Sequence, residues 1–149
     1  MLQRAITVTS SPLPQYAAPW GQRKPRSPVD ITERRQRNQR GLFAEALAAT
    51  LLVVKGYRIL ARRHRTRLGE IDIIAVRGQR LAFIEVKHRP TIDQAAQSIG
   101  ERQTQRIAAA AEQWVWQHPA YHNHQIGLDA VVVAPGRWPC HLVNALQSW

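Results

Sequence analysis

The sequence predicts an α/β domain, a mixed β-sheet with flanking helices, and three observations carry that reading. An apolar helical stretch at 40–55 precedes two β-rich runs, Glu70–Val76 and Leu81–Lys87. A second helical stretch at 101–117 follows them, and a strongly apolar run, Leu128–Ala134, comes after it. With Tyr57–Arg62 as a first strand, the order is α-β-β-β-α-β, which places helices against a sheet. A chain of 149 residues holds one such domain with a modest core, plus a tail.

The tail is residues 1–38, and the domain is 39–149. Pro12, Pro14, Pro19, Pro25 and Pro28 stand there among Ser, Gln and Arg without a lasting apolar period, so a disordered or loosely held arm is expected. Through Arg40 this arm holds eight basic and two acidic residues, over half of the net charge. It can help hold nucleic acid through phosphate contacts. An extension without a role is the equal alternative.

Helical character begins near Thr32 and is firm from Arg40 to Lys55. Phe43, Leu47, Leu51 and Val54 form one stripe, while Leu42, Ala49 and Leu52 cover the other side. A helix apolar nearly all round is expected to be buried. Gly56 is a natural stop. Glu45 is the only charge between Gly41 and Val54, and such a carboxylate is costly unless it is paired, capping or metal-bound. Pairing with an Arg at the helix start is the structural alternative.

Tyr57, Ile59 and Ala61 alternate with Arg58, Leu60 and Arg62, as a strand does. The run Arg62-Arg63-His64-Arg65-Thr66-Arg67 follows. Read alone it is a solvated loop; beside the next segment it can grip a phosphate backbone.

That segment is the most informative in the chain. Gly78-Gln79 suits a two-residue II′ turn between the strands, with Gly at the first central position. Arg77 then faces Arg80, and every cross-strand pair has numbers summing to 157. In that register Asp72 opposes Glu85 and Glu70 opposes Lys87, all on one face, while Ile71, Ile73 and Ala75 with Ala82, Ile84 and Val86 form a core face. Opposed carboxylates destabilise a ladder. At about 5 Å and an effective dielectric near 20, their repulsion is roughly 3 kcal/mol. A divalent cation such as Mg²⁺ turns it into attraction. The alternative is a metal-free salt-bridge patch of Glu70 with Lys87, Asp72 beside them. A bulge would shift the pairing and dissolve both readings.

Pro90 ends the strand, and Thr91–Gly100 is expected to be a polar loop with a helical turn. In Glu101–Gln117 the buried stripe is Ile107, Ala110, Ala111, Trp114 and Val115, with Arg102 and Arg106 one turn apart. His64 and His88 read as polar edge residues or phosphate contacts. His118, His122 and His124 cluster without a recognised zinc spacing and read as a loop. Pro135-Gly136 bounds the Leu128–Ala134 strand, and His141–Leu146 reads as an edge strand or a short helix.

Composition excludes several classes. The net charge is +11, from 21 Lys and Arg against 10 Asp and Glu, which favours polyanionic partners. Cys140 is the single cysteine, so neither a disulfide framework nor a thiolate metal site is expected. Ala46–Val54 is too short to span a membrane, and no secretory signal is evident, so a cytoplasmic protein is expected. Dinucleotide, haem and flavin signals are absent, so no small-molecule cofactor is expected. A homodimer is compatible with the sequence, although nothing in it marks an interface.

Asp72, followed after twelve residues by Glu85-Val86-Lys87, resembles the active-site signature of the PD-(D/E)xK nuclease superfamily. The segments GLFAEALAATLL, GYRILARRHRTRLGEIDIIA, LAFIEVKHR, RQTQRIAAAAEQW, LDAVVV and HLVNAL resemble, in order, the bacterial YraN family of endonuclease-like proteins. They cover most of residues 41–149. The resemblance implies a restriction-endonuclease-like core in which Asp72 and Glu85 bind Mg²⁺ or Mn²⁺ and the Val86 carbonyl adds a ligand. It further implies that Glu45 lies beside the metal and that Lys87 assists the attacking water or the developing charge. Asp129 matches an Asp of the family, for which hydrogen bonding at the strand edge is the simpler role. The family commonly has Lys near Gln103, a departure here, whereas Arg106 matches.

The function expected is therefore metal-dependent phosphodiester hydrolysis on nucleic acid, DNA before RNA, with Arg63, Arg65, Arg67, Arg89 and Arg106 contacting the backbone. One alternative is a non-catalytic nucleic-acid-binding or scaffold protein of the same fold. Another is a partner-binding module in DNA processing or cell division with a vestigial site.

Overall fold

Chain order and sheet order coincide. In the computed structural model, which describes residues 28–146 apart from 92, 95–97 and 99, five strands lie side by side as β1 (Arg58–Arg65), β2 (Glu70–Arg77), β3 (Arg80–His88), β4 (Gln125–Val133) and β5 (Cys140–Leu142). Helix α1 (Pro28–Val54) precedes them and helix α2 (Glu101–Gln117) links β3 to β4. All neighbours are antiparallel except β3 and β4, the parallel pair that a crossover helix makes possible. The mixed α/β architecture is the expected one, and His141 lies in an edge strand.

The β2–β3 register is as expected as far as Ile73↔Ile84, but Ile71, expected on the core face with Ile73, packs with Ile74 and Phe83 on the other face, because the regular ladder ends before it. Pairs run from Arg77↔Arg80 to Ile73↔Ile84, each summing to 157. Gly78 has φ +55°, the left-handed value required at the first central position of a II′ turn. β1 extends further than expected. Arg62 to Arg65 pair with β2, so the arginine run is mostly strand and only 66–69 turn. Thr66 closes that turn: its hydroxyl accepts the N–H groups of Leu68 and Gly69 at 3.1 and 3.0 Å.

Both faces of the sheet are covered. On one, Ala44, Ala48 and Leu52 of α1 pack on Ile73, Ala75, Ala82, Ile84 and Val131. On the other, Ala110, Ala111 and Trp114 of α2 pack on Ile74, Val76, Leu81 and Phe83, with Phe83 edge-on to Trp114. Strands buried on both sides read as continuous apolar runs, as Leu81–Ile84 does.

Helix α1 departs from expectation in two ways. It begins at Pro28, so the boundary placed after residue 38 falls inside it; residues 1–27 of the arm lie outside the described residues. Its inward stripe is Ala44–Ala48–Leu52, whereas Phe43 and Val54 are 65% and 80% exposed. Burial all round is thus corrected: small residues let the helix approach the sheet on one side and leave a large apolar side outside. The stop at Gly56 holds, with φ +83°, the Gly56 N–H donating to the Val53 carbonyl and that of Tyr57 to Leu52. Within 91–100, residues 93 and 94 are helical and the Ser98 N–H donates to the Gln94 carbonyl at 3.1 Å; the rest of the expected helical turn lies outside the described residues. Among the described residues, no helix is long and apolar enough to cross a membrane.

Candidate active site

The site begins where the β2–β3 ladder stops. Continued past Ile73↔Ile84, the register would set the Val86 N–H against the Ile71 carbonyl. It donates instead to Asp72 Oδ2, at 2.7 Å. A side chain takes a backbone group's place, and the strands part around it. Strand alternation leaves the Val86 carbonyl on this same edge of β3. Beside the gap lies a pocket of about 650 Å³ lined by Glu70, Asp72, Glu85, Arg102, Gln103 and Arg106. Asp72 and Glu85 thus share one face and one pocket. Gly69 lets α2 close over this end, because a Cβ there would meet the Arg106 backbone oxygen at 3.1 Å.

Lys87 is 7% exposed, and its ammonium is held from two sides. It donates to Glu85 Oε1 at 3.0 Å and to Gln103 Oε1 at 2.7 Å, while Gln103 Nε2 donates to the same Glu85 oxygen. Gln103, given no site role from sequence, therefore bridges the acid and the base of the signature. The expected pairing of Glu70 with Lys87 is corrected. Glu70 sits opposite Arg65 on β1 and pairs with its Nε at 3.0 Å, since the parted strands remove Lys87 from its reach.

Asp72 has its pKa pushed up to about 7. Burial is the main cause, and the Glu85, Glu45 and Glu70 carboxylates add to it, against the pull of the Val86 N–H. Glu45 does not line the pocket, yet its field reaches Asp72. Its Oε2 is buried without a hydrogen-bond partner, 3.7 Å from Arg63 Nε. The basic group beside it is therefore Arg63 of β1, not the Arg at the helix start that the sequence offers as the alternative.

Among the described residues, no three of His, Cys, Asp and Glu stand close enough to enclose a metal by themselves. A hard divalent ion does not need such a cage: Mg²⁺ keeps several waters and takes one or two carboxylates. Asp72 and Glu85, two carboxylates on one pocket wall with the Val86 edge adjacent, are the kind of oxygen donors that a partly hydrated ion takes. They do not fit zinc, which prefers nitrogen and sulfur. His118, His122 and His124 are engaged separately, on the Trp114 carbonyl, the Val115 carbonyl and the Tyr121 ring.

The five arginines expected at the backbone interface divide. Arg106 lines the pocket, with Arg102 one turn away. Arg63 and Arg65 face the acids, Arg63 at 3.7 Å from Glu45 and 3.9 Å from Glu70. Arg63 has φ 52°, a left-handed conformation rare outside glycine and often stored at functional sites. Arg67 is exposed in the turn. Arg89 donates to the His88 carbonyl at the end of β3.

A second polar centre escaped the sequence reading. Asp129, fully buried, accepts Arg80 Nη2 at 2.7 Å, the Asn144 N–H at 2.8 Å and His141 Nε2 at 2.9 Å. Burial drives its pKa up, but these donors and the Arg80 charge outweigh it and hold the carboxyl below its usual range. Lys55 Nζ lies 3.2 Å from His141 Nδ1, so the neutral tautomer protonated at Nε2 satisfies both ring nitrogens. This clamp fixes β5 and the following turn to the sheet. Asp129 does act through hydrogen bonds, but from the middle of β4, an interior strand, and not from the strand edge expected of it.

Comparison with known proteins agrees with the segments noted above. The profile described as "Uncharacterised protein family UPF0102" matches residues 44–133. The UPF0102 protein of Nitrobacter winogradskyi is 50% identical over 108 residues, 72% of this chain and 92% of its own. That of Methylorubrum extorquens is 48% identical over 123 residues, 82% of this chain and 96% of its own. The counterpart in Mesorhizobium japonicum is 48% identical over 115 residues, covering 77% and 92%. Agreement of the profile, the relatives and the ordered segments places the chain in one family: it belongs to UPF0102, the YraN family.

Proposed function

We propose that this protein is a metal-dependent hydrolase of the endonuclease type, binding nucleic acid, DNA foremost, and cutting its phosphodiester bonds in the cytoplasm. The observation that supports this most is the Asp72 carboxylate, diverted onto the Val86 amide where the strands part and facing the same pocket as Glu85. Asp72, Glu85 and the Val86 carbonyl would hold Mg²⁺ or Mn²⁺, with Glu45 reaching it through water. The bound ion would polarise the scissile phosphate and lower the pKa of the attacking water. Lys87 spends two of its three N–H donors on Glu85 and Gln103. The third is left to orient that water and to offset negative charge growing on phosphorus. Arg102 and Arg106 on the pocket wall would hold the flanking phosphates.

The test is cleavage of single-stranded, nicked, flapped and four-way DNA with Mn²⁺, against chelator and against Lys87→Ala. Cutting that needs both the ion and Lys87 supports the proposal. The second reading is a non-catalytic nucleic-acid binder. It draws support from Glu85 being already compensated by Lys87 and Gln103. If binding persists in every sample and no strand is cut, this reading replaces the first.

A further inference from the structure

Lys87 and His88 are consecutive on β3, so their side chains leave the sheet on opposite faces. Lys87 bonds Glu85 and Gln103, two residues of the carboxylate pocket's wall. His88 instead lines a groove of about 440 Å³ on the α1 side, whose walls include Phe43, Leu47, Val133 and Trp138, with Arg137 between strand and tryptophan. Trp138 is 93% exposed and Phe43 65%, large apolar surface left in water beside two cationic or titratable side chains and no carboxylate. Arg89 ties the ends of β3 and β4 together here, its N–H donating to the Val133 carbonyl at 3.2 Å. Groove and pocket therefore open at the same end of the sheet, on either side of one strand.

We propose that this groove takes unpaired nucleobases of a strand whose backbone crosses the end of β3 into the carboxylate pocket. The substrate is then nucleic acid with a single-stranded stretch next to the phosphate attacked, which deepens the hydrolase reading above and rests on it. Exposed aromatic faces interleaved with Arg and His are what successive bases stack on, without regard to sequence. Every base has a π-face, and Arg adds a cation–π contribution. Charge complementarity favours this occupant. A polyanion is drawn to a chain of net charge +11, whereas a second copy of the chain brings the same charge to the same face.

The experiment measures anisotropy of a labelled single strand and of a duplex of the same sequence, with chelator present, on the full chain. Trp138→Ala is expected to weaken single-strand binding roughly 5- to 100-fold, and duplex binding by about twofold or less. Trp138→Phe, which keeps a ring, should retain most single-strand affinity, and Phe43→Ala should lose it as Trp138→Ala does. Because Trp138 is exposed, these effects are separable from folding, which circular dichroism monitors. Equal losses on both ligands overturn the proposal. So does an unchanged single-strand affinity, including the case in which sedimentation shows that Trp138→Ala breaks up a dimer. If the unsubstituted chain binds neither ligand, the hydrolase reading fails with it; if it cuts DNA and Trp138→Ala binds single strands normally, only the stacking groove fails.

Discussion

Asp72 Oδ2 and the Val86 amide, 2.7 Å apart, replace one rung of the sheet with a side-chain bond. The bond fixes the carboxylate beside Glu85 in a partly dry place, which is why its proton is held to about pH 7. An arrangement that costs stability at neutral pH is understandable if something positive arrives to relieve it.

The cost has a definite sign. The unfolded carboxyl titrates near 3.8 and the folded one near 7, so the folded state binds more protons between those values. Stability therefore falls as pH rises through that window. Asp72→Asn keeps an acceptor for the Val86 amide and removes the charge. Its thermal or urea stability should exceed that of the parent by about 1–3 kcal/mol at pH 8 and match it near pH 4, less than the full shift implies because water reaches the pocket. Mg²⁺ should raise the parent's melting temperature more at pH 8 than at pH 5. A flat parent profile between pH 4 and 7 would refute the assignment.

Gln103 makes a prediction independent of turnover. It fixes both Lys87 and Glu85, and so would be the outer support of the proposed metal ligand Glu85. Removing such support typically costs 10- to 100-fold in metal affinity. Calorimetric titration of Gln103→Ala with Mn²⁺ should show a loss of about that size, with melting temperature little changed.

The Asp129 clamp governs stability. Asp129→Ala strands the Arg80 charge and should cost about 3–5 kcal/mol in urea unfolding. Since the folded carboxyl is held below its usual range, the clamp's contribution is present above the unfolded pKa and is lost as pH falls through the folded one.

Gly127 tests the same clamp from the other side. A Cβ at this position would collide with the Arg80 guanidinium that lies across it. Gly127→Ala should cost about 1–3 kcal/mol. In the background of Asp129→Ala the further loss should be smaller, because the guanidinium is then free to move.

On the pocket wall, Arg106→Ala should weaken nucleic-acid binding about equally for all sequences and reduce the slope of log K against log salt by roughly one. A change confined to particular sequences would point to base reading instead.

The sequence was most legible where a turn fixed parity. Gly78-Gln79 sets every pair out to Ile73↔Ile84, and the pocket that Asp72 and Glu85 share lies just past the last of them. Beyond that pair a side chain bonded to an amide breaks the ladder, and no strand periodicity encodes such a bond, so alternation alone pairs Glu70 with Lys87 where the structure pairs it with Arg65. Helix α1 showed apolar residues all round, but a pattern cannot say which side the sheet takes; the small Ala44 and Ala48 decided it by allowing the closest approach. The clamp of Arg80, Asp129, His141 and Asn144 joins residues up to 64 positions apart, a separation at which no local signal survives. In the sequence Gln103 is only a departure from a lysine, and its bridging amide becomes visible only with α2 laid over β3.

The succession of β1, β2 and β3 through two tight turns has a kinetic consequence. Neighbouring hairpins form early because little loop entropy opposes them, while the parallel β3–β4 pair must wait for the intervening helix. The strand acids at 70, 72 and 85 are thus crowded together on the nascent meander before the long crossover closes. Their mutual repulsion should slow that early step, and millimolar magnesium should relieve it as a faster refolding rate after denaturant dilution.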